Sequence, residues 1–156
     1  MTAQDALVKA LDSAHWELGE SFKGLGDDDV WRRVDPKLLS IGELAAHMAY
    51  GEINNLGQGA IESPLFNKSM RYYFYAVEDP YTADFGAAAL YDEVQRVHGL
   101  AKQAFLNLGL GLEAVNPARP DWTVAQTWEY MAFHVAYHTG QIYSVRHLMG
   151  HETEDN

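Results

Sequence analysis

The chain has 156 residues, enough to bury one core and few enough to form one domain. Its formal charge of −11 argues against a nucleic-acid surface, and the absence of cysteine excludes disulfides and thiolate metal ligands. Although 47% of residues are hydrophobic, no run approaches the ~18 apolar residues of a membrane span. The N-terminus shows no signal-peptide pattern, so the cytoplasm is the expected compartment.

Four segments carry a helical period and none carries a strand alternation. The first covers 3–24, where Leu7, Leu11, Ala14, Leu18, Phe22 and Leu25 make one apolar stripe. The acidic run Asp27-Asp28-Asp29 follows and reads as solvated loop. The second helix begins at SIGE, where Ser40 caps and Glu43 reaches back to form a capping box. Leu44, His47, Met48, Gly51 and Asn55 then share one side, to about Gln58.

Residues 59–83, GAIESPLFNKSMRYYFYAVEDPYTA, are too long for a tight turn and contain Pro64 and Pro80. Such a crossover carries the chain back along a bundle and makes the flanking helices parallel. Arg71, Tyr72, Tyr73, Phe74, Tyr75 and Tyr81 make it aromatic and partly cationic. These residues read either as a lid, with Arg71 holding a substrate carboxylate, or as rings that anchor the crossover.

The third helix lies near 84–108, with the stripe Leu90, Val94, Val97, Ala101, Phe105 and Leu108. The fourth opens on a second capping box, Thr123 with Gln126, and ends at Gly150, a suitable C-terminal cap. Its inner face reads Thr127, Met131, His134, His138, Gln141, Ile142, Val145 and Leu148. The pattern predicts an all-α fold, a single four-helix bundle over 1–150 with a long crossover between helices 2 and 3 and an acidic tail at 151–156.

Two histidines interrupt the greasiest face of the last helix. His134 and His138 lie about 40° apart and one turn from each other, the geometry by which one helix offers two imidazoles to one metal ion. Inward imidazoles need hydrogen-bond partners or a metal. His47 stands on the inner side of helix 2, where an apolar residue is expected. Three histidines from two helices form a facial set with an open fourth position, the catalytic arrangement for zinc. The remaining histidines look bland: His147 lies opposite His138, His151 is in the tail, and His15 and His98 sit one step off their stripes in surface or boundary positions.

Helix 4 has a second apolar side, Phe133, Ala136, Gly140 and Tyr143. No helix of a four-helix bundle is central, so this face predicts a two-fold homodimer.

SIGELAAHMAYGE opening one helix and HVAYHTGQIYSVRHLMG closing the domain resemble the DinB/YfiT-like family of metalloenzymes. The resemblance spans the whole chain and implies an up-down-down-up bundle, frequently dimeric. It implies zinc or nickel held by His47, His134 and His138, which match the family's positions one for one. Characterised members include transferases and isomerases that use a low-molecular-weight thiol such as bacillithiol or mycothiol.

Three functions follow for such a site. The first is a transferase, in which the metal holds a small thiol as thiolate for attack on a small electrophilic substrate. The second is a hydrolase needing a carboxylate base, for which Glu43 is one turn before His47 while Glu52 lies on another face. The third is a non-catalytic metal- or ligand-binding bundle lined by Met48 and Met131. Zinc is the first expectation and nickel the second, because three imidazoles suit both. Gln141, one turn past His138, is a candidate for orienting a ligand.

Overall fold

Capping boxes start three of the long helices. Thr2 and Asp5 open α1 (Ala3–Phe22), Ser40 and Glu43 open α3 (Ile41–Asn55), and Thr123 and Gln126 open α5 (Val124–Leu148). In each, the cap side chain accepts from the N3 amide while the N3 side chain accepts from the cap amide, satisfying two backbone donors that the helix cannot. The computed structural model describes residues 1–65 and 79–153. Arg71, Tyr72, Tyr73, Phe74 and Tyr75 lie outside the described residues.

α4 (Ala87–Leu106) obtains its cap from a distance. Its N-cap is Gly86, without a capping side chain, and Asp27 Oδ1 instead accepts from the Ala87 amide at 2.8 Å. A Cβ at Gly86 would collide with that carboxylate. The acidic run expected as solvated loop is therefore structured, forming the one-turn helix α2 (Asp27–Val30). At the other end of α5, Gly150 takes φ 85°, and its amide and that of His151 close the helix on the His147 and Arg146 carbonyls.

The mostly helical structure is consistent with the all-α expectation and adds one small element. A small antiparallel pair, β1 (Val115–Asn116) and β2 (Arg119–Thr123), joins α4 to α5, with Val115 opposite Thr123 and Asn116 opposite Arg119. Two residues of β1 cannot show an alternation. Asn116 holds the pair in place and is fully buried. Its amide donates to the Asn55 carbonyl at the end of α3 and to Thr127 Oγ1, so a carbonyl that α3 leaves unpaired finds a donor.

The fold is mostly helical. α1 packs along α5, and α3 packs against both α4 and α5. The predicted stripes meet in one core: Leu11 and Leu18 of α1, Leu44 and Met48 of α3, Leu90, Val94, Val97 and Ala101 of α4, and Met131 and Ile142 of α5 are buried. Leu108 and Leu148 are exposed, against expectation, because α4 ends before the first and α5 ends at the second. No helix among the described residues is long and apolar enough to cross a membrane.

The segment leading into α3 is pinned from several sides. Arg33 forks onto the Glu43 carboxylate, with Nε donating to Oε2 at 2.8 Å and Nη2 donating to Oε1. Glu43 also accepts from the Ser40 and Tyr81 amides, at 2.8 and 2.9 Å. The Tyr81 hydroxyl donates to the Leu65 carbonyl at 3.1 Å, and its ring meets Trp31 edge-on. Of the crossover's aromatic residues, Tyr81 thus serves as an anchor.

Candidate metal centre

α3 and α5 bring His47, His134 and His138 together. One ring nitrogen from each lies within 4.8 Å of the others, His134 and His138 are buried, and His47 is partly so. His47 Nε2 and His134 Nε2 stand 3.0 Å apart. Two nitrogens at zinc-ligand distance from one ion stand about 3.3 Å apart at the tetrahedral angle, so little adjustment separates the pair from shared coordination.

The ring planes favour the same point. His47 is inclined at 62° to His134 and at 87° to His138, and the last two cross at 84°, with centroids 4.6 to 4.8 Å apart. Imidazole binds metal along an in-plane lone pair, and steeply inclined rings can aim three such pairs at one ion. Gln141 Oε1 accepts from His138 Nδ1 at 2.6 Å, which places the proton on Nδ1 and leaves Nε2 as the lone-pair nitrogen. Gly51 makes room for His134: a Cβ there would stand 3.0 Å from Cε1 and 3.4 Å from Nδ1.

Burial keeps these imidazoles neutral, as ligation requires. Desolvation, then the neighbouring His134 and His138, push His47 down to about 3. Desolvation and His138 push His134 down to about 4, and desolvation also lowers His138 against the opposing bond from Gln141. The stability consequence has a definite sign. The unfolded chain takes up protons near 6.5 that the native centre refuses until about 4 and about 3. Metal-free protein is therefore expected to keep the full contribution above pH 6.5 and to lose it as pH falls toward 4, by about 1.4 kcal/mol per pH unit for each such histidine. Urea unfolding of the metal-free chain at pH 7.5 and 5.5 measures this, and equal midpoints would contradict it.

A second cluster was not expected. His15 and His98, read as surface or boundary residues, are buried beside the fully buried Glu52. His15 Nε2 and His98 Nδ1 lie 2.9 and 3.0 Å from the same oxygen, Glu52 Oε1. His98 Nε2 continues to Asp12 at 3.2 Å, and Asp12 pairs with Lys102. Two histidines and a carboxylate are a familiar ligand set, and these rings stack, with centroids 3.6 Å apart and planes inclined by 23°. The ligand atoms of the three lie within 4.8 Å of one another, and both imidazole nitrogens converge on the one carboxylate oxygen. The cluster is a carboxylate clamped by two imidazoles.

Glu43, the other carboxylate weighed near His47, is fully engaged. Burial raises its pKa, but Arg33, with the Tyr81 and Ser40 amides, holds it below the usual range. His147 is exposed and bonds to Thr153 at 2.9 Å, while His151 bonds to Asp29 at 2.9 Å. A surface cleft of about 540 Å³ lies between Trp16, Lys23, Tyr143 and Arg146 and includes none of the three clustered histidines. Around the histidines themselves, Tyr130 stacks on His134 and Tyr137 meets His138 edge-on, both partly exposed beside Phe133.

A protein-family model described as mycothiol-S-transferase matches residues 6–150 of the chain, so the match runs from the first helix to the C-cap of the last. No curated protein matches it.

Proposed function

Because the chain belongs to the mycothiol-S-transferase family, within the DinB/YfiT-like superfamily, we propose that it joins a low-molecular-weight thiol, mycothiol first, to a small electrophile. The observation that carries this reading is the convergence of three neutral, mutually inclined imidazoles from α3 and α5. In this reading His47, His134 and His138 hold a divalent ion, zinc first and nickel second, in an up-down-down-up four-helix bundle over 1–150. Such an ion supplies Lewis acidity that lets a thiol lose its proton near neutral pH.

The chain's own residues do the rest. Gln141 fixes the His138 tautomer. The clustered imidazoles stay unprotonated, so their lone pairs remain available across the physiological range. Tyr130 and Tyr137 offer partly exposed aromatic faces beside the histidines, a wall against which an apolar electrophile can lie. The sulfur forms a bond to the electrophilic carbon, the leaving group departs with its electron pair, and the thiol proton goes to solvent.

Neither carboxylate weighed as the base of a hydrolase is free for that role: Glu43 is committed to Arg33 and two amides, and Glu52 to His15 and His98. The second apolar side of α5, Phe133, Ala136, Gly140 and the half-buried Tyr143, supports a two-fold homodimer in the cytoplasm. Zinc-loaded chain mixed with mycothiol and a chromogenic electrophile is expected to deplete both in equal amounts. A chelator should abolish the reaction and added zinc restore it. Turnover unaffected by chelation would remove the metal from the reaction, and no turnover with any small thiol would leave a metal-holding bundle.

A further inference from the structure

Glu52 is a full carboxylate with no solvent exposure, supplied by α3 and clamped by His15 of α1 and His98 of α4. The clamp is lopsided. Both imidazoles bond to Oε1, while Oε2 is buried without a hydrogen-bond partner among the described residues. An unsatisfied oxygen on a buried anion is costly, so this arrangement calls for an account beyond packing. Burial would raise the Glu52 carboxyl, yet His15 and then His98 hold it down to about 2, so it is a charge at neutral pH.

His134 carries the matching deficit. Its Nε2 faces His47, and its Nδ1 is buried without a partner among the described residues. That edge of the ring leans on the α3 backbone at Gly51, where a Cβ would stand 3.4 Å from Nδ1. Glu52 is the next residue along α3. Once Nε2 donates its lone pair to a metal, Nδ1 must carry the proton, and a histidine ligand ordinarily gives that proton to a carboxylate, a backbone carbonyl or a water. Three neutral imidazoles leave a divalent ion with its whole charge inside the fold, where an uncompensated ion is disfavoured.

We propose that Glu52, held by His15 and His98, is the buried counter-charge of the three-histidine centre and acts on it through His134. This rests on the reading of the three histidines as metal ligands. Glu52 is then a positioning residue, and the His15–Glu52–His98 clamp is its mount, which ties α1 and α4 to a centre built on α3 and α5.

The test is zinc affinity of the full chain, by competition with a chromophoric chelator, for wild type, Glu52→Gln and Glu52→Asp. The thermal midpoint of each metal-free protein is measured beside it. Glu52→Gln is expected to weaken zinc binding by about tenfold or more, within the 10–100-fold range of outer-shell carboxylates, while Glu52→Asp stays within about threefold. A role confined to packing would lower the metal-free midpoint and leave affinity unchanged below the transition, which would overturn the inference alone. Wild type that binds no zinc would overturn the three-histidine reading as well. Should Glu52→Gln not fold, nitrogen-15 histidine spectra of zinc-loaded wild type carry the test. The His134 Nδ1 proton is expected to exchange far more slowly than that of exposed His147, and equally fast exchange would overturn the inference.

Discussion

Replacing His138 by alanine is expected to leave the purified chain without metal, where the untagged wild type carries about one divalent ion. Of the three histidines it is the one whose tautomer is set by a neighbour, through the 2.6 Å bond to Gln141. The variant keeps His47 and His134, two nitrogens 3.0 Å apart that satisfy each other with one shared hydrogen bond. Two imidazoles without a third do not hold zinc against dilution, so the loss should exceed the about 10–100-fold cost of disturbing outer-shell groups. Gln141→Ala belongs in that smaller range. Metal content by elemental analysis, with thiol-transfer turnover on the same samples, gives the result. Absence of metal from wild type and variant alike, with the variant merely less stable, would make the three histidines a hydrogen-bonded core cluster.

Glu43→Ala should produce the largest loss of stability while leaving chemistry intact. The substitution removes one partner of an ion pair in which Glu43 is 2% and Arg33 12% exposed, and it strips an acceptor from the Ser40 and Tyr81 amides. Breaking a buried pair from one side costs about 3–5 kcal/mol. With Arg33 partly at the surface the lower end applies, and at about 2–4 °C per kcal/mol the midpoint should fall by about 6–12 °C. Because the native carboxyl titrates below 4.5, its contribution is present above that pH and is lost as pH falls further. Turnover per folded, metal-loaded chain should not change. A variant of unchanged midpoint and lost turnover would return Glu43 to the role of general base.

The long helices were legible because their signals are local. The Ser40–Glu43 and Thr123–Gln126 boxes are spaced by three residues, and the α4 stripe repeats at three and four. The convergence of His47, His134 and His138 was legible for the same reason, since each occupies a position that its helix period assigns to the interior. β1 is two residues long and holds its place through Asn116, whose partners Asn55 and Thr127 are remote or irregular in spacing. α2 was hidden by its three aspartates, one of which caps a helix 60 residues away. The Glu52 clamp was missed because the apolar arc was drawn too narrowly. A core-facing stripe is over 100° wide, so His15 and His98, one step from Ala14 and Val97, still fall inside it. The partners themselves are 37 and 46 residues from Glu52.

The bond from the Tyr81 hydroxyl to the Leu65 carbonyl has a meaning for how such a protein can diversify. It brings the two borders of the intervening chain to one place, while Tyr81 is separately fastened to Glu43 and Trp31. The stretch between is therefore a cassette with fixed ends. Closing a longer or shorter cassette changes the free energy by only about 0.6 kcal/mol per doubling of length. The length of the stretch between can therefore change without re-registering the helix that carries His47.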